Sequence, residues 1–248
     1  MTKGYLIYAQ GDLHVKYAVE LAKSINDGLP ITLVTDKQIN TGLFERVILV
    51  EQNTDKFHVK NRSKLWQYSP YDETTVIESD CLITCDLGNW WRRNKNKDLT
   101  FINQAYNYRQ EKSNTNHDRK TFVANDLPNL YVACYYFKKT DFTKKFWDLV
   151  YNINTNKIFY EQFLKNVDPD VPSMDRGICL AAKLLDCADS VSYDCNDPKF
   201  IHMKPYGQGL KNPNKQWNTL LGFYRTEQEV FIANYKQKGI LHYIEDVV

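Results

Sequence analysis

The sequence predicts an α/β fold, a mostly parallel central sheet flanked by helices, and three stretches carry that prediction. Near the start, a strand over residues 5–9, a helix over about 14–26 and a strand over 30–35 make a βαβ opening, the unit from which parallel sheets are built. In the middle, Thr74-Thr75-Val76-Ile77 is β-branched throughout, the composition of a buried central strand. Further on, 130–137 (LYVACYYF) is an apolar strand, and a helix follows from Asp141.

In chain order, Ala18, Leu21, Ala22 and Ile25 recur at helical spacing, with Asp12 placed to cap that helix and Asp27-Gly28 to stop it. A third strand covers 46–50 and a short helix 61–68. Phe142, Phe146, Leu149 and Val150 mark the buried stripe of the helix after Asp141. Residues 159–167 read as a helix broken at Asp168-Pro169, and a further helix starts at Ser173 with Ile178, Ala181, Ala182 and Leu185 on one face. The tail, with Trp217, Tyr224 and a helix over 227–235, is expected to pack on the outside.

At 248 residues the chain is one domain of α/β size, or one domain with an inserted lobe. Lysine and arginine total 32 against 30 for aspartate and glutamate, a balance that neither demands nor forbids a polyanionic partner. The chain begins MTKGYLIYAQGD, shows no basic-then-apolar leader and holds no apolar run of spanning length, so a soluble, cytoplasmic protein is expected, without a membrane partner. Six cysteines without CxxC spacing predict reduced thiols and no zinc site.

The chemistry centres on YSPYDETTVIESDCLI, residues 68–83. Glu78 and Asp80, one position apart at the far end of a strand, present their carboxylates on one face. Two like charges in an apolar setting are costly unless a cation or a set of donors neutralises them, and a hard divalent cation shared with phosphates is one resolution. A polar strand end is the other. Tyr8-Ala9-Gln10 and Asp36 stand at the C-terminal ends of the first two strands, where nucleotides bind in parallel sheets. No glycine-rich phosphate loop is present, so neither a dinucleotide fold nor a P-loop is supported.

This stretch resembles the DxD segment of GT-A-type glycosyltransferases, particularly small glycogenin-like (family 8-like) enzymes and phage-encoded relatives, with Glu78 at the first acidic position and Asp80 at the second. IHMKPY, residues 201–206, resembles their C-terminal HxxGxKPW segment in compressed form. The resemblance implies a GT-A-like (Rossmann-like) mixed sheet in a single domain, nucleotide-binding over about 1–86 and acceptor-side over 87–248. It implies a nucleotide-sugar donor, UDP-linked in this group, and a Mn²⁺ or Mg²⁺ cofactor. By resemblance, Asp80, His202 and Glu78 hold the metal, Lys204 binds the diphosphate and stabilises its leaving charge, and Lys64, with Arg62 as neighbour, faces the diphosphate. Tyr8, Ala9, Gln10 and Asp36 hold base and ribose, and Ala133-Cys134 lies near the donor sugar. Asp175 meets the acceptor as a general base, or caps its helix in competition with Ser173.

Gly88-Asn89-Trp90-Trp91-Arg92-Arg93-Asn94-Lys95 carries two further readings. Trp90 and Trp91 stack bases while Arg92 and Arg93 contact phosphates, so that the acceptor is a hydroxymethylated pyrimidine in phage DNA within the host cytoplasm. Alternatively, the indoles roof the nucleotide-sugar site and a protein or polysaccharide is the acceptor. Two rivals lie outside that activity: a nucleotidyltransferase, disfavoured because YAQGDLH lacks a basic phosphate-clamping loop, and a non-catalytic relic of the fold that binds a nucleotide-sugar.

Overall fold

The first strand, β1 (Lys3–Ala9), is buried from Gly4 onward, and the layers of the protein form around it. The computed structural model describes residues 1–52, 58–113, 118–168, 170–194, 196–203, 217–226 and 229–243. After β1 come α1 (Asp12–Ser24), β2 (Ile31–Thr35), β3 (Arg46–Leu49), the single-turn helices α2 (Val59–Arg62) and α3 (Leu65–Tyr68), and β4 (Glu73–Glu78). Next are β5 (Cys81–Ile83), α4 (Gly88–Asn94), β6 (Leu99–Ile102), β7 (Ala105–Tyr106), β8 (Lys112–Ser113), α5 (Arg119–Asn125) and β9 (Tyr131–Lys138). The remainder runs α6 (Asp141–Thr155), α7 (Lys157–Glu161), α8 (Met174–Leu184), α9 (Ala188–Val191), β10 (Ser192–Tyr193), β11 (Phe200–His202), β12 (Phe223–Arg225), β13 (Val230–Ile232), β14 (Tyr235–Lys236) and β15 (Ile240–His242).

Among the described residues the large sheet has the order β10-β6-β9-β4-β1-β2-β3. β3, β2, β1 and β4 run parallel, and β9 is antiparallel to both its neighbours. This is the mixed, mainly parallel α/β architecture that the sequence predicts. Alternation along β1 sends Leu6 and Tyr8 to one face and Tyr5, Ile7 and Ala9 to the other. Val76 and Phe146 join the first face, Ile77 and the α1 stripe (Ala18, Leu21, Ala22) the second. Thr140 starts α6 by accepting the Thr143 amide at 3.3 Å, and the helix buries Phe146, Trp147 and Val150, each worth roughly 1.5–3 kcal/mol.

A second sheet, ordered β5-β15-β11-β7-β8, stands at the end of β4. The chain turns at Ser79-Asp80 and passes from the large sheet into this one, so the acidic triplet spans a corner rather than a continuous strand. The tail is central here, against expectation. β15 lies between β5 and β11, and Trp217 and Tyr243 are fully buried. Gly239 admits β15 to that slot: at φ 148°, a Cβ there would lie 2.1 Å from the Lys199 carbonyl oxygen.

Other boundaries differ for local reasons. α1 begins after Gly11, and Asp12, instead of capping, pairs with Lys37 at 3.0 Å. The helix expected over 61–68 divides at Ser63-Lys64. That expected over 159–167 shortens to α7 and turns. The tail helix is replaced by the β12-β13-β14 hairpins, where Val230 and Ile232 point inward and Phe231 between them is half-buried, a period-2 pattern. The five described cysteines form no disulfide, and among the described residues no helix is long and apolar enough to cross a membrane.

Candidate functional site

A cavity of about 580 Å³ opens beyond the C-terminal ends of β1 and β4, where parallel sheets bind ligands. Tyr8, Ala9 and Gln10 line it, and the Tyr8 hydroxyl donates to Gln10 Oε1 at 2.7 Å, which fixes the loop after β1. Asp36 is not among the lining residues. Its carboxylate instead accepts the Gly11 amide at 3.0 Å and holds the turn into α1.

At the corner between the two sheets, Glu78, Asp80 and His242 bring one ligand atom each within 4.8 Å of one another. His242 Nε2 is 3.4 Å from Glu78 Oε2 and 3.3 Å from Asp80 Oδ2. The backbone sets this geometry. β15 pairs antiparallel with β5, His242 opposite Cys81, and the Tyr243 amide donates to the Asp80 carbonyl at 3.1 Å. Burial raises the pKa of Asp80, but His242 by charge and hydrogen bond, followed by His14, outweighs it and holds the carboxyl below its ordinary range.

His202 lies one strand further on. β11 pairs parallel with β15 in register, His202 beside His242, and their Nδ1 atoms are 2.8 Å apart. Thus the structure brings Glu78 and Asp80 together as the sequence expects, adds His242, and sets the buried His202 behind it. One of the two Nδ1 atoms must carry the shared proton. When His242 offers the Nε2 lone pair to a cation, its own Nδ1 is the donor and His202 the acceptor.

The cation facing this cluster is Arg62, which pairs with Glu78 and lines the cavity. Lys64 does not line it. The break between α2 and α3 turns Lys64 outward, with Nζ 5.3 Å from the centre of the Tyr151 ring. On the near side of Ser79, His14 Nδ1 lies 3.3 Å from Ser79 Oγ, and burial lowers the His14 pKa.

Asp175 lines the opposite wall from the first turn of α8, its Oδ1 accepting the Val132 amide at 2.9 Å. Ser173, not Asp175, caps that helix by accepting the Arg176 amide at 3.2 Å. Arg176 is buried between Glu161 at 2.6 Å and Asp118 at 3.3 Å and anchors the helix start. Val132 and Ala133 reach the cavity because the β6-β9 ladder shifts register between Phe101, opposite Tyr135, and Ile102, opposite Tyr131. Lys204 falls outside the described residues.

Trp90 and Trp91 are neither base platforms nor a roof over this cavity. Both are buried under the large sheet, with indole N–H groups donating to Thr75 Oγ1 at 3.0 Å and to the Tyr5 hydroxyl at 2.8 Å. Arg92 and Arg93 stay exposed, and Arg93 donates to the Tyr193 hydroxyl at 2.6 Å.

No protein-family model and no curated protein sequence matches the chain. Among solved structures it is similar to the galactosyltransferase LgtC, in a complex with donor and acceptor sugar analogues, at 14% identity and TM-score 0.53, over 98% of this chain and 87% of that one. The fold is a GT-A-like glycosyltransferase fold. An active-site mutant of LgtC matches at 14% identity and TM-score 0.52, over 98% and 87% of the two chains. The glycosyltransferase GlyE of Streptococcus pneumoniae TIGR4 is similar at 14% identity and TM-score 0.45 over 78% of this chain, which spans 46% of GlyE.

His242 and Arg62 are the site residues that the sequence leaves least marked. The signal for the histidine is a repeated pattern: Phe200-Ile201-His202 and Ile240-Leu241-His242 each end an apolar triplet in histidine, as paired strands with matched ends do.

Proposed function

We propose that the chain is a metal-dependent glycosyltransferase that moves a sugar from a nucleotide-sugar to a hydroxyl acceptor. The observation that carries this reading is the convergence of Glu78, Asp80 and His242 at the mouth of a 580 Å³ cavity in a glycosyltransferase fold. Two carboxylates and one imidazole fit a divalent cation between the hard and borderline classes, for which Mn²⁺ is the best match and Mg²⁺ the next. Such an ion would be held by these three side chains and would supply Lewis-acid stabilisation of a diphosphate leaving group.

The rest of the work falls to the chain itself. Tyr8, Ala9 and Gln10 receive the base and ribose of the donor. Arg62 exchanges Glu78 for the diphosphate and stabilises negative charge there, with Lys204 as a second cation. Asp175, oriented by the Val132 amide, holds the acceptor hydroxyl and accepts its proton at a carboxylate oxygen. The segment from Val171 to Asp175 lines the acceptor side of the cavity. A saccharide is the acceptor favoured by the likeness to LgtC, whose structure holds an acceptor sugar analogue. The nucleic-acid acceptor loses its stacking aromatics to the core.

Hydrolysis of a panel of nucleotide-sugars with and without Mn²⁺ tests this reading. Slow metal-dependent release of one sugar supports the enzyme, whereas metal-independent binding without turnover identifies a relic.

A further inference from the structure

Leu65, Val76 and Met174 give the cavity lining an apolar component, and Tyr135 sits opposite Val76 in the ladder beneath it. Tyr135 also lines the cavity, is 2% exposed, and its hydroxyl has no hydrogen-bond partner among the described residues. Buried hydroxyls are ordinarily paired, and an orphan on a ligand cavity wall is a place where a ligand completes the set. The ring cannot swing away to find another partner. It packs against Trp147 and Phe101 with ring centres 5.2 and 5.3 Å apart, and its backbone is pinned in the ladder opposite Val76. Burial raises the phenol pKa against the opposing pull of Arg62, so the group meets a ligand as a neutral hydroxyl, able both to donate and to accept.

We propose that the Tyr135 hydroxyl reads the donor sugar by hydrogen-bonding one hydroxyl of its ring on the apolar wall between Arg62 and Asp175. This rests on the nucleotide-sugar reading above. The charged parts of such a ligand have their own partners elsewhere: the diphosphate at the Glu78–Asp80–His242 corner and the base by Tyr8–Gln10. A partly aliphatic lining that includes an unpartnered hydroxyl suits the remaining piece, a sugar with C–H groups on its face and hydroxyls on its edge. A polar group placed this way discriminates by the penalty of leaving it unpaired when the matching substituent is missing.

The test is equilibrium binding to the full chain with Mn²⁺, using UDP-glucose, UDP-galactose, UDP-N-acetylglucosamine and GDP-mannose, with UDP and GDP as sugar-free probes. Tyr135→Phe, an isosteric change expected to leave the melting temperature unaltered, should weaken the best nucleotide-sugar by about tenfold and its diphosphate by less than about twofold. One monodeoxy analogue of that nucleotide-sugar should show the same loss on the wild type and be indifferent to Tyr135→Phe, an arm that needs no variant for its first half. Equal effects on nucleotide-sugar and diphosphate, no effect on either, or no deoxy analogue that weakens binding would overturn the role of Tyr135 and leave the proposed function standing. A wild type that binds none of the probes with Mn²⁺ overturns both.

Discussion

His242 Nε2 lies 3.3 Å from Asp80 Oδ2, and a backbone register puts it there: β15 runs antiparallel to β5 with His242 opposite Cys81. The imidazole therefore comes from the end of the chain, and the carboxylates come from the corner where β4 leaves the large sheet. Removing any of the three changes what the corner can hold.

Asp80→Asn and His242→Gln are each expected to weaken Mn²⁺ binding by at least about tenfold, since each deletes one of three protein ligands. Titration calorimetry of Mn²⁺ into the wild type and both variants measures this. Unaltered affinity in His242→Gln would mean that the imidazole is not a ligand.

His202 is expected to act through His242. With Nδ1 2.8 Å from His242 Nδ1, it fixes the tautomer that turns the Nε2 lone pair toward the carboxylates. His202→Phe should cost about 10- to 100-fold in metal affinity. The same variant in a His242→Gln background should cost little more, because the two act as a unit. Full additivity in that double-mutant cycle would show His202 binding the ion on its own account.

Arg62→Ala should move two affinities in opposite directions. Without the guanidinium on Glu78, Mn²⁺ alone binds more tightly, and a nucleoside diphosphate in the presence of Mn²⁺ binds about tenfold more weakly. Calorimetry with Mn²⁺ and then with UDP separates the two. A matched Lys64→Ala change should leave both unaltered, because Lys64 lies over Tyr151 and outside the cavity.

Asp80 gives the metal-free protein an acid-sensitive corner. Burial acts to raise its pKa, but His242 and His14 outweigh burial and hold the folded carboxyl below its ordinary 3.8. Because the folded value is depressed, the contribution to stability is complete above the unfolded value and is lost as pH falls from there toward the folded one. His242→Gln removes the main depressing partner, so its acid-unfolding midpoint should move to higher pH, as followed by circular dichroism in chelator-treated protein. A midpoint that stays put would detach Asp80 from His242.

Trp90→Ala is expected to destabilise the fold by about 3–5 kcal/mol, the usual cost of emptying a large buried site. Arg92→Ala/Arg93→Ala, on the exposed side of the same helix, should leave the melting temperature nearly unchanged. Denaturant unfolding of both variants checks the assignment of the indoles to the core.

How much of this was legible in the sequence depended on the length of each signal. The βαβ opening, the β-branched strand before Glu78 and the stripe of α6 are long periodic patterns, and they appear where expected. Glu78 and Asp80 were legible because two acids interrupt an apolar run. His242 was marked only by the triplet it shares with Phe200–His202: Ile240–His242 is a strand of three residues, too short to show alternation, and its insertion between β5 and β11 reveals it as central. Arg62 lines the cavity and Lys64 does not, because the chain breaks at Ser63-Lys64 instead of running as one helix over 61–68. Trp90 and Trp91 looked like a surface platform beside basic residues. Composition cannot tell which face of α4 meets the sheet, and here Thr75 and Tyr5 receive both indole N–H groups.

The central claim is that Glu78, Asp80 and His242 hold one divalent cation. Anomalous diffraction from crystals grown with Mn²⁺ and a nucleoside diphosphate addresses it directly. A single strong peak within bonding distance of those three side chains is the predicted result. A peak elsewhere, or one bound through His202 with His242 turned away, would contradict it.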